Sequence, residues 1–337
     1  MTDRACSSTF RPNGSPDSPA WVRAVVAIPG CRVAPNASMA QVTTFRLGGP
    51  CAWRVDCPEA DRVAEVVAVL ASSGCAWRVM GSGSNLLVSD AGLDQVILRF
   101  VARRPDIRRE GLWVSVGGGT LLDDLAAFCA REGLDGLRFA NGIPGTVGGA
   151  IAGNAGAFGE DMAGVLVQVE LVNREGRVVH VNSRDLGMGY RRSSLQDGSW
   201  VVSRAVFQLR PGSPEQLGSE RERILSLRRA KHPDWRVCPT AGSFFRNLAP
   251  TSAAGVRQAA GWFLEQAGAK SFREGGARVF EKHANIIVAE PGVATAEDVR
   301  RLANRMAEAV YARFGLRLHP EVRLWGNFPA NFWDSSE

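Results

Sequence analysis

Residues 141–159, NGIPGTVGGAIAGNAGAFG, hold seven glycines in nineteen positions and no charged side chain before Glu160. An exposed loop would be polar, and a core element would not carry the backbone entropy of so many glycines. Backbone packed against a large flat ligand accounts for both features. Two further turns share the texture: GSGSN at 81–85, after a strand, and VGGGT at 116–120. Small residues there let backbone N–H groups converge on an anion. GSGSN is not a Walker loop, because no Lys-Ser/Thr follows, and it lacks the GxGxxG spacing and helix of a dinucleotide fingerprint. One such turn alone reads as a tight turn. Three in one chain fit a nucleotide-bearing cofactor, with a cradle for its pyrophosphate and a slot for its ring.

The rest of the chain reads as α+β. Residues 1–35 are expected to form a mobile extension with a short helix near Trp21–Val26. Pro58 to Ser73 is a helix with Val63, Val66, Val67 and Leu70 on one face and Gly74 beyond its end. Strands are expected at Ala76–Met80, Leu86–Val88, Val96–Val101 and Leu112–Val116. Thr120 and Asp123 have capping-box spacing for a helix to Arg131, with Gly133 closing it. Asn173-Arg-Glu-Gly joins the strands Val167–Val172 and Val178–Val181 in a hairpin, and Trp200–Leu209 is a further strand. A helical connector (212–230) leads to a helix around Val256–Ala267 and a strand at Asn285–Val288. Thr295 and Asp298 open a long helix that ends at Gly315, with Val299, Leu302, Met306 and Val310 as its buried stripe. The strand Val322–Trp325 comes last.

Composition narrows the function. No run approaches 18 apolar residues, which argues against a membrane span. The seven cysteines are scattered with no CxxC pair, which reads as reduced thiols in a cytoplasm and no metal site. Net charge is +6, but the basic residues form no dense run, so nucleic acid is not the expected partner; a small anionic substrate fits the same balance.

The longest glycine stretch closely resembles the flavin-binding segment of the UDP-N-acetylenolpyruvoylglucosamine reductase family. TTFRLGG (43–49), GSGSNLLVSDAGLDQVIL (81–98), GYRRSSL (189–195), AGSFFRN (241–247), AGWFLEQAGAK (260–270), EKHANIIV (281–288) and HPEVRLWG (319–326) resemble its other motifs, in the same order. The resemblance implies a FAD-binding domain of the vanillyl-alcohol-oxidase (PCMH) type in two subdomains (36–211), with FAD between them. A C-terminal α+β substrate-binding domain (231–328) and a tail (329–337) follow. It implies NADPH as hydride donor, non-covalent FAD, and UDP-N-acetylglucosamine enolpyruvate as substrate. Hydride passes from the flavin to C3 of the enolpyruvyl ether, and a proton to C2. Its catalytic positions fall on Ser243, as the proton donor, and on Arg191 and Glu321, as stabilisers of the enolate. Its cofactor positions fall on Gly81, Ser82, Gly83, Ser84, Asn85, Leu86, Gly118, Gly119, Asn141, Gly142, Ile143, Pro144, Gly145, Thr146, Gly148, Gly149, Asn154 and Gly156. Substrate positions are Tyr190, Lys231, Asn247 and Lys282. The short interval between Tyr190 and Ser243 matches the subtype without an inserted substrate loop, and a monomer or weak dimer is expected.

Spacing alone leaves each catalytic position open. Arg191 and Arg192 could both be surface arginines, Ser243 a turn residue beside Gly242, and Glu321 an ion-pair partner of Arg323. A flavin oxidase, a catalytically silent flavin-binding module, and a paralogue acting on another nucleotide-sugar in secondary metabolism are the competing functions. AGSFFRN also carries Arg246 where the family more often has Lys.

Overall fold

The computed structural model describes residues 18–250 and 257–334. Residues 1–17, 251–256 (including Val256, the expected start of a helix) and 335–337 lie outside them. The helices are α1 (Ala20–Ala27), α2 (Val63–Ser72), α3 (Leu122–Arg131), α4 (Val147–Ala152), α5 (Pro214–Lys231), α6 (Ala260–Gln266) and α7 (Ala296–Phe314). None of the described helices is long and apolar enough to cross a membrane.

The chain forms two compact units. Unit 1 gathers the described residues up to Ala37 with Cys51–Ser82 and Asp94–Leu227; unit 2 gathers Ser38–Pro50, Gly83–Leu93 and the described residues from Arg228 onward. Unit 2 therefore recruits two segments from within the stretch 36–211.

In unit 1, a five-stranded antiparallel sheet runs Val178–Asn182, Leu166–Val172, Val201–Gln208, Trp113–Gly117, Ile107–Glu110. Val114, Val116 and Phe207 of this sheet pack with Leu125, Phe139, Val147 and Ile151 in one core. A second sheet runs Arg32–Ser38, Pro50–Cys57, Leu93–Phe100, Trp77–Met80. Its core is closed by α1 and α2, through Trp21, Val22 and Val25 and through Val63, Val66, Val67 and Leu70. Residues 20–35 are thus helix and strand in a core, not extension: the apolar positions Trp21, Val22 and Val25 on one face of α1 are what bury it.

In unit 2, α7 covers the three-stranded antiparallel sheet Arg273–Glu274, Ala277–Phe280, His283–Ala289. Its stripe of Val299, Leu302, Met306 and Val310 is fully buried. Thr295 and Asp298 form the capping box, and Gly315 ends the helix at φ +66°. The Asp90 carboxylate adds a cap, accepting from the N–H groups of Ala296 (2.9 Å) and Glu297 (3.1 Å). Arg323–Trp325 pairs in parallel with Leu86–Val88.

Two further expectations change. α3 has Leu121 at its N-cap and no side-chain cap. Thr120 Oγ1 instead accepts from Asp106 N (3.2 Å), and Asp123 accepts from Gly142 N (2.7 Å) and takes both arms of the Arg221 guanidinium at 2.7 and 2.8 Å. A bidentate charged pair outweighs a local cap. Within the glycine stretch, residues 147–152 form α4, capped by Thr146 Oγ1 accepting from Gly149 N (3.3 Å).

Candidate active site

In unit 1 the glycine stretch is sewn to the 117–119 turn. Gly148 N donates to Gly118 O (2.8 Å), Val147 N to Thr120 O (2.9 Å), and Leu122 N to Gly145 O (3.0 Å). Part of the glycine requirement comes from the chain itself. A Cβ on Gly118 would lie 2.0 Å from Val202 O, one on Gly81 2.3 Å from Thr146 Oγ1, and one on Gly119 2.7 Å from the Phe100 ring. Several expected cofactor contacts are committed to protein as well. The N–H groups of Gly142 and Ile143 go to Asp123 and Ala140, and the Asn141 side chain joins Arg138 O (2.9 Å) to Arg221 (2.6 Å).

Loop 81–85 differs. Among the described residues, no chain acceptor takes the backbone N–H groups of Ser82, Gly83, Ser84 or Asn85. Ser82 Oγ, in unit 1, is buried without a partner, and so is Thr44 Oγ1, in unit 2. Buried polar atoms are nearly always hydrogen-bonded, and a run of unclaimed N–H groups suits an anion.

Arg191 lies at the tip of a tight turn in unit 1. Gly189 and Arg192 exchange backbone hydrogen bonds at 2.9 and 3.0 Å, which leaves Tyr190 and Arg191 as the central pair. Arg191 takes φ +53°, a conformation non-glycine residues seldom adopt. Several groups hold it there. Its Nη2 donates to Gly156 O (2.8 Å), its carbonyl accepts from Gln196 Nε2 (3.0 Å), and its guanidinium lies 5.2 Å over the Tyr190 ring. Asn154 is fully buried, and its amide donates to Gly189 O (2.8 Å) and Asp161 Oδ2 (3.0 Å) while its Oδ1 accepts from Ala163 N (3.0 Å). The Asn154 side chain, expected at the cofactor, is turned to the Arg191 turn. Arg192 is exposed, which separates the two arginines that spacing left equivalent.

In unit 2, Ser243 follows Gly242 at φ +76° and is anchored by the buried pair Phe244 and Phe245. One side of this segment meets the strand His283–Ala289: Phe244 N donates to Asn285 O (2.8 Å), and the Asn285 amide closes on both Phe245 N (2.9 Å) and Phe245 O (2.8 Å). The other side meets Glu321, whose N–H donates to Phe244 O at 2.7 Å. Ser243 and Glu321 therefore stand on adjacent backbone segments of one unit, while Arg191 belongs to the other.

The expected substrate residues are placed less uniformly. Lys231 ends α5 and Lys282 sits in the turn before the strand His283–Ala289; both are exposed. Asn247 Oδ1 accepts from Ala260 N (3.2 Å), which caps α6. The His232 and His283 rings lie 5.5 Å apart between centres, their planes tilted by 48°. Burial, then the neighbouring His283, Arg228 and Lys231, hold His232 down at about 4; burial also lowers His283. His283 Nδ1 accepts from Asn285 N (3.2 Å), so the ring is an acceptor from backbone N–H. Asn285 and Gln196 escaped the sequence reading. Asn285 had a signal: a lone amide inside the apolar run 284–289 must find partners when buried.

Family models match over two regions. Residues 54–182 match a FAD binding domain, and residues 232–325 match the UDP-N-acetylenolpyruvoylglucosamine reductase C-terminal domain. The UDP-N-acetylenolpyruvoylglucosamine reductase of Synechococcus sp. (strain JA-3-3Ab) is 39% identical over 298 residues, 88% of this chain and 92% of that one. That of Bacillus subtilis (strain 168) is 35% identical over 296 residues, 88% and 94%. The crystal structure of UDP-N-acetylenolpyruvylglucosamine reductase (MurB) from Thermus caldophilus superposes with a TM-score of 0.72 at 31% identity, covering 88% of this chain and all of that one.

Proposed function

This chain belongs to the UDP-N-acetylenolpyruvoylglucosamine reductase family, and from that premise we propose how its residues carry out the reaction. The enzyme is a FAD-dependent, NADPH-using oxidoreductase that reduces the enolpyruvyl ether of UDP-N-acetylglucosamine enolpyruvate to UDP-N-acetylmuramate, a peptidoglycan precursor. Bound FAD, reduced by NADPH, supplies the hydride. Ser82 to Asn85 are the residues suited to the pyrophosphate, by their unclaimed N–H groups and the orphaned Ser82 hydroxyl.

Ser243 delivers the proton to C2. A serine hydroxyl is a weak acid in water, so this role depends on the strongly basic carbon being held beside it. Glu321 and Arg191 stabilise the charge that develops on the enolate and its carboxylate. Arg191 offers a planar fork, already fixed by Gly156, Gln196 and the Asn154-bound turn. Such preorganised partners need no rearrangement when the charge appears. Lys231 and Lys282 present exposed ammonium groups suited to the UDP diphosphate. The observation that carries this reading is the 2.7 Å bond from Glu321 N to Phe244 O, which sets Glu321 beside the segment bearing Ser243. We place the enzyme in the cytoplasm as a monomer or weak dimer; its seven scattered cysteines, with no CxxC pair, fit a reducing compartment.

The two half-reactions test it. With Ser243→Ala, stopped-flow reduction of the flavin by NADPH keeps its rate, while reoxidation by the enolpyruvyl substrate slows by about a hundredfold or more. Equal slowing of both steps would remove Ser243 from the proton path. Absence of substrate-dependent NADPH oxidation in the unaltered enzyme would remove the activity.

A further inference from the structure

We propose that the Asn85 side chain is a positioning residue for Glu321, and that it frees its own backbone N–H for an anion. This rests on the reading of Glu321 as an enolate stabiliser. Asn85 ends the GSGSN turn, where it counted as a flavin contact. Its amide Nδ2 donates to the Glu321 carbonyl at 3.0 Å, and its own carbonyl accepts from Arg323 N at 3.1 Å. Together these bonds bracket Val322 at the start of the parallel pair Leu86–Val88 and Arg323–Trp325.

The register explains the arrangement. A regular parallel ladder extended one step would run from the backbone N–H of Asn85 to the Glu321 carbonyl. The side-chain amide takes that bond instead. The backbone N–H of Asn85 then joins those of Ser82, Gly83 and Ser84, none of which has a chain acceptor among the described residues. Glu321 is consequently held at both peptide groups, its N–H on Phe244 O and its C=O on Asn85. One residue of the turn thus ties the anion-facing backbone to the placement of a carboxylate 236 positions away in sequence.

The test uses the FAD-loaded enzyme and its two half-reactions. Asn85→Ala keeps FAD and its reduction by NADPH, and slows reoxidation by the enolpyruvyl substrate about ten- to a hundredfold, the range expected when a reacting group is misplaced by about an ångström. Asn85→Asp presents a carboxylate to the Glu321 carbonyl and is at least as slow at pH 8. As the pH falls toward 5 and that carboxyl gains a proton to donate, its rate relative to the unaltered enzyme rises, while the Asn85→Ala ratio stays flat. In a Glu321→Gln background, Asn85→Ala costs nothing further, because the side chain acts through Glu321. Loss of FAD, equal slowing of both half-reactions, or additive effects in the double variant would overturn the proposal. If Glu321→Gln alone leaves reoxidation unchanged, the role given to Glu321 fails first, and the positioning of it by Asn85 falls with it.

Discussion

Buried and half-buried asparagines do much of the positioning in this protein. Asn154, Asn285 and Asn85 each turn the side-chain amide to a backbone carbonyl beside a residue assigned to catalysis: Gly189 O near Arg191, Phe245 O near Ser243, and Glu321 O itself. An amide suits this task because it carries donors and an acceptor without charge, so it satisfies backbone groups at little desolvation cost. The paired histidines show the opposite case. An unfolded His232 takes a proton near pH 6.5, whereas the folded ring is held down at about 4. The unfolded state therefore binds more protons between those values, and the stability tied to the neutral ring is present above pH 6.5 and lost as the pH falls toward 4. Urea unfolding across that window is expected to show a loss of about 1–2 kcal/mol after allowance for solvent screening, and His232→Asn to flatten it. An unchanged slope in the variant would show that other groups govern acid sensitivity.

At the scale of elements, periodic helices were legible and local competition was not. The buried faces of α2 and α7 follow directly from apolar spacing, and the Thr295–Asp298 cap from its motif. The hairpin at Asn173 was equally clear, since Asn173 Oδ1 accepts from the N–H groups of Glu175 and Arg177. The Thr120–Asp123 motif had the same spacing but a distant rival, Arg221 on α5, and no pattern in sequence announces a partner 98 positions away. α4 was hidden because its glycines carry no helical signal; its register comes from Thr146 and from bonds to the 117–119 turn. Of the site, the motif positions were readable, but which side chains face a ligand and which face the protein was not. The same logic separates two substitutions on α7. Met306→Ala empties a fully buried site and is expected to cost about 2–5 kcal/mol. Arg301→Ala breaks only an exposed pair with Glu297 and is expected to cost about 0.5 kcal/mol or less. Comparable losses in urea denaturation would contradict the packing assigned to this helix.

For the molecule as a whole, cofactor and fold are linked. A ligand that binds only the folded chain raises its stability by mass action, by about 2.7 kcal/mol at a free concentration one hundred times Kd. Thermal unfolding of flavin-stripped protein is therefore expected to shift upward as FAD is added, and added riboflavin, which lacks the pyrophosphate, to shift it far less. Equal shifts from both would remove the anion cradle at Ser82–Asn85. The interleaving of the two units carries a separate consequence. A break after Leu227 would strip the C-terminal unit of Phe45, Leu47 and Leu87 from its interior, of Asp90 from the head of α7, and of the strand beside Arg323–Trp325. The last hundred or so residues are accordingly no cassette: recombination that grafted another sequence in at that seam would have to match two short upstream inserts at the same time, so new substrate preferences are easier to reach by point changes than by shuffling.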